Sequence, residues 1–96
     1  MKSFAEFKLS IEQQTQPPSG CSDLLQALWF AQKKDWDRAH QIVQALSNPE
    51  SAWVHAYLHR LEGDKANADY WYARGGRSRS PIGLEEEWTA LVQELL

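Results

Sequence analysis

Phe4, Phe7 and Ile11 stand at i, i+3 and i+7, and the apolar residues keep helical spacing along the chain except where proline or glycine interrupts it. A chain patterned this way buries one stripe per helix, and it offers no period-two run of useful length from which to build a sheet. The interruptions set the number of elements. "TQPPSG" ends the first helix, because Pro17 and Pro18 cannot continue the hydrogen-bond ladder. Ser22 or Asp23 is placed to cap a second helix, whose stripe is Leu24, Leu25, Ala27, Leu28 and Ala31. Asp35 caps a third, on which Trp36, Ala39, Val43 and Leu46 share a face. Asn48 as cap and Pro49 at the first helical position begin a fourth, which runs to about Glu62 and stops at Gly63. Asp64 caps a short fifth that closes at Gly75-Gly76. The loop "RSRSPIG" then leads to a last helix with Glu85, Glu86 and Glu87 in its first turn. The expected fold is all-α: one domain over residues 1–96, a compact bundle of five or six helices.

Asp35-Trp-Asp-Arg-Ala39 aligns with Asp64-Lys-Ala-Asn-Ala68 at an offset of 29, from 39 to 68, and Ala27 and Leu28 then fall over Ala56 and Tyr57. Each half reads as a longer helix, an Asp-bearing turn and a second helix whose small residue permits close approach. Residues 22–75 thus resemble two tetratricopeptide-type antiparallel helical hairpins, in which a packing Ala is followed four residues later by an aromatic or aliphatic residue. Val43 and Tyr72 take that place. The offset differs from that family's repeat of about 34, and its Trp-Leu-Gly-Tyr first helix is absent, so the likeness bears on architecture alone.

"HRLEGDKANADYWYARGGR", residues 59–77, is similar to a signature of small uncharacterised bacterial proteins, H-R-x-E-G-D-x-x-N-A-x-Y-W-Y-x-R-A-G-R. The preceding "DWDRAHQIVQ" and "AWVHAYLH" fit the same group. Gly75 departs from it, standing where the signature has Ala. The resemblance implies an all-helical cytoplasmic protein and carries no activity with it.

Composition excludes several classes. With 43% hydrophobic residues and five Trp, the chain has the apolar area to order itself. The single cysteine, Cys21, rules out an internal disulfide framework and fits a reducing compartment. No apolar h-region opens "MKSFAEFKLSIEQQ", and no run approaches the roughly 18 apolar residues of a membrane span. The expected location is therefore the cytoplasm, with no membrane partner. A net charge of −3 argues against nucleic acid, which demands a basic face. "RGGRSRSP" is read as a turn, since segments of that kind bind RNA by repetition in disordered tails.

Two groups of residues can carry function. His55, His59 and Glu62 lie at i, i+4 and i+7, and His40 follows Asp37 at i+3 on the preceding helix. Facing helices would present three imidazoles and a carboxylate, a ligand set suited to zinc, iron or nickel. The same residues also suit ordinary hydrogen bonds between helices. Tyr70, Trp71 and Arg74, followed by Arg77 and Arg79 in the loop, can bind an anionic group between aromatic walls and guanidinium forks. Their other use is as core aromatics, with the arginines paired to Glu85, Glu86 and Glu87. No Walker loop, Rossmann fingerprint or nucleophile elbow occurs, and no histidine neighbours Cys21 in sequence. The leading expectation is a non-enzymatic binding or interaction module without a cofactor, taking a protein or a small anionic ligand at Tyr70, Trp71, Arg74, Arg77 and Arg79. The alternative is a metal-binding protein, or a small metal-dependent hydrolase, using zinc on His40, His55, His59 and Glu62. A homodimer would hide surplus aromatics.

Overall fold

The computed structural model describes residues 3–79 and 81–96; Met1, Lys2 and Ser80, the last of these inside the "RSRSPIG" loop, lie outside it. Its elements follow the punctuation of the sequence: α1 Phe4–Gln13, α2 Asp23–Gln32, α3 Trp36–Gln44, α4 Pro49–Leu61, α5 Lys65–Arg74 and α6 Leu84–Leu95. Among the described residues there is no strand. The starts are chemically closed. Ser3 and Glu6 form a reciprocal capping box, Ser22 accepts from Leu25 N, and Asn48 accepts from Ser51 N with Pro49 next to it. Asp35 and Asp64 do the same for α3 and α5.

Three helix ends share one construction. Asp35 N–H donates to Phe30 O and Asp64 N–H to His59 O, both at 2.9 Å, and Arg77 N–H donates to Tyr72 O at 2.8 Å. In each case the preceding residue has positive φ: 69° at Lys34, 90° at Gly63 and 76° at Gly76. This is the Schellman closure, which satisfies carbonyls left orphaned at a helix end. The first two occurrences are the Asp-bearing bends at offset 29, so the repeat seen in the sequence is a repeat of turn geometry.

Across those bends α2 packs most extensively on α3, and α4 on α5. Ala39 and Ala68 are both fully buried, as are Ala27 and Ala56, so the small residues sit where the helices come closest. Helix α3 also lies against α4, while α6 closes over α2 and α4. The principal core gathers Phe7, Leu28, Trp29, Val43, Leu58 and Trp88, and a second nucleus of Ala56, Ala68 and Tyr72 lies between α4 and α5. Helix α1 is tied in by Phe7 and by Ser10, whose hydroxyl accepts from the Trp29 indole at 3.0 Å. Trp36 and Trp88 each donate to a backbone carbonyl of another helix, Leu58 and Leu28 respectively. No helix in the described chain is long and apolar enough to cross a membrane.

One charge is buried in this interior. The Glu87 carboxylate, 0% exposed, accepts from Arg60 Nη1 at 2.6 Å, Tyr72 Oη at 2.6 Å and Trp53 Nε1 at 3.0 Å. Arg60 continues to the carbonyl of Ile82. The three acids at the start of α6 therefore part company: Glu87 turns inward, Glu86 accepts from Gly83 N–H, and Glu85 accepts from Gln32.

Three outcomes follow in urea denaturation. Lys34→Gly should raise stability by roughly 0.5–1 kcal/mol by relieving a left-handed non-glycine residue, and Gly63→Ala, with open space around the added Cβ, should lower it by about 1 kcal/mol. Glu87→Ala should cost about 3–5 kcal/mol by stranding a guanidinium, the buried Tyr72 hydroxyl and the half-buried Trp53 indole. An E87A midpoint equal to wild type would show that the carboxylate bears no structural load.

A candidate metal centre between α3 and α4

One helical turn separates His55 from His59, so both project from the same side of α4 toward α3, where His40 meets them. His40 Nε2 lies 3.0 Å from His55 Nε2, and one ligand nitrogen from each of the three imidazoles falls within 4.8 Å of the others. Tetrahedral zinc with Zn–N bonds of ≈ 2.0–2.1 Å sets its nitrogens about 3.3 Å apart, a spacing comparable to that of the trio. His55 and His59 are buried at 5% and 6% exposure, and His40 is partly open to solvent.

Indoles fix the rings from both sides. Trp36, four residues before His40 on α3, stacks on it at 4.7 Å and 11°; Trp71 of α5 stacks on His55 at 3.9 Å and 12°. His59 Nδ1 is held by Glu62 Oε2 at 2.8 Å, which orients the ring and leaves Nε2 as its free nitrogen. Glu62 thus stands behind a ligand, whereas the three imidazoles assemble without it. Asp64 joins His59 and Glu62 in a neighbouring group of potential ligand atoms, although it also caps α5. The position of Trp36 was readable from its i, i+4 spacing to His40. That of Trp71 was not, because nothing in the sequence brings α5 over His55.

Burial first, then the adjacent His40 and His59, lowers His55 to about 4 from an ordinary 6.5. Burial also lowers His40, helped by His59 and opposed by Glu62 and Asp37. Near neutral pH both rings are neutral, the form in which imidazole binds a metal.

The aromatic-arginine group divides between two surfaces. Arg74 lies 5.3 Å over Trp71 and 5.8 Å from the Tyr70 ring, and Nη1 donates to Tyr70 Oη at 3.0 Å. Arg74, Trp71 and His55 line a cleft of ≈ 210 Å³ against the start of α4. Arg77 instead stacks on Trp53 at 3.6 Å, and Arg79 makes a two-pronged pair with Asp69 at 2.9 and 2.7 Å. Those two arginines line a separate recess with Ser78 and Pro81. None of the three takes up Glu85, Glu86 or Glu87; Arg60 takes that part at Glu87.

The unfolded metal-free chain takes up a proton at His55 as pH falls below about 6.5, but the folded chain resists until about 4. Stability of the metal-free protein should therefore hold above that window, fall as pH drops through it, and level off below. Thermal melts across pH 4–8 check this, and His55→Phe should flatten the slope. No family model matches the chain, and neither does any curated protein or solved structure.

Proposed function

We propose that this protein binds a divalent transition ion, with His40, His55 and His59 as ligands and Glu62 orienting His59. The observation that carries this is the convergence of three imidazole nitrogens within 4.8 Å across two helices. Burying the His55 and His59 rings has a cost that aliphatic side chains at the same positions would not incur. A bound cation offsets that cost, because it accepts a lone pair from each ring at once. An all-nitrogen set suits zinc, cobalt, nickel and copper, and excludes magnesium and calcium, which take oxygen. Among these zinc fits best, being content with four-coordinate tetrahedral geometry in which three side chains leave one position for water. Binding, not hydrolysis, is the activity proposed: Glu62 is committed to His59, and Asp64 to the start of α5. A second role as an interaction module, in keeping with the tetratricopeptide-like pairing, is favoured by the cleft at Arg74.

Chelator-treated protein titrated with cobalt should develop the visible absorption of a four-coordinate ion at one equivalent, and zinc should displace it. Zinc at about 100 times its Kd should add roughly 2.7 kcal/mol to unfolding, reversibly with EDTA. His40→Ala, at a partly exposed position, should remove both effects while the fold persists. No cobalt spectrum and no zinc-dependent shift in melting at millimolar metal would sink the proposal.

A further inference from the structure

Trp71 touches His55 on α4 and Arg74 on its own helix, so imidazole, indole and guanidinium contact in series, and all three line the ≈ 210 Å³ cleft. The remaining walls mix apolar Leu46, Pro49 and Ala52 with polar Ser47, Asn48 and Ser51, of which Asn48 and Ser51 are bonded to each other in the cap of α4. Two donors here are unmatched among the described residues. Arg74 gives one N–H to Tyr70 and has no carboxylate partner, and the Trp71 indole N–H has no acceptor, unlike those of Trp29, Trp36, Trp53 and Trp88. The cleft has the volume of about seven waters at ~30 Å³ each, enough for one small organic anion.

We propose that this cleft binds a small monocarboxylate with a short apolar body, and that its occupancy is linked to the metal through the shared His55–Trp71 stack. The planar guanidinium fork matches one carboxylate. The apolar walls take the body of the ligand. A phosphate dianion is the poorer fit, since a single guanidinium leaves half its charge uncompensated and the Ser51 hydroxyl in the wall is already spent on Asn48 O. The linkage rests on the metal proposal above; the carboxylate site does not. A divalent ion on His55 adds positive charge next to the anion and fixes the ring against which Trp71 lies, so each ligand tightens the other by the same factor.

Benzoate and inorganic phosphate, titrated into the full chain with the Trp71 indole and Arg74 side-chain NMR signals as readout, test both parts. Metal-free wild type should bind benzoate in the millimolar range and phosphate about ten-fold more weakly. Arg74→Gln should weaken benzoate about ten-fold or more without moving the melting temperature, consistent with a charge-assisted pair. Zinc should tighten benzoate about five-fold in wild type and not in His40→Ala, whose altered residue does not line the cleft. Absence of benzoate binding, equal binding by R74Q, or tighter binding of phosphate would each overturn the carboxylate site and leave the metal proposal intact. Equal benzoate affinity with and without bound zinc would overturn the linkage. Failure of zinc to bind would remove the linkage together with the metal proposal, while the metal-free titration still decides the site.

Discussion

A single carboxylate in the interior holds the second half of this molecule in register. Glu87 reaches down from α6 to Trp53 and Arg60 on α4 and to Tyr72 on α5, so three helices are tied at one point by charge-assisted bonds. Such a tie gains little stability over a well-packed apolar contact, since desolvating the ions consumes most of the attraction. Its effect lies in geometry. A leucine at position 87 would tolerate sliding of α5 along α4, whereas a carboxylate with three fixed donors tolerates one arrangement. That arrangement sets Trp71 flat on His55 and Arg74 beside the start of α4.

The histidine trio depends on a different contact, that of α3 with α4. There His40 of α3 meets the two α4 imidazoles. Trp36 closes the outer side and spends its indole N–H on the Leu58 carbonyl, which pins the start of α3 to the last turn of α4. Buried imidazoles flanked by indoles on two sides have few ways to turn. On the proposed metal reading, this leaves little side-chain ordering entropy to oppose binding.

Much of this was legible residue by residue. The caps at Ser22, Asp35, Asn48 and Asp64 are where local chemistry put them, because capping depends only on a side chain and the three residues that follow it. The likeness of the two Asp-bearing bends was visible at offset 29, and so was the shared face of His55 and His59. Other features escaped. Three consecutive glutamates looked equivalent as anions at a helix start, yet Glu87 is wholly buried and Glu85 and Glu86 are exposed. The arginines for which pairing with them was the other use went elsewhere, Arg77 to an indole and Arg79 to Asp69. Helical period alone could not separate them, since one residue of rotation about the axis decides which acid faces the core.

By itself the amino-acid order determined what is short-range: five or six helices, their caps, the bends between them, and which residues share a face. Those features rest on hydrogen bonds and steric limits acting over four or five residues. Only the tertiary structure decided which faces meet. His40 with His55, Trp71 with His55, and Glu87 with Arg60 join residues 15, 16 and 27 positions apart on different helices. Such meetings are set by how whole helices pack, through the summed contacts of every buried side chain, and no local window of the sequence contains that sum.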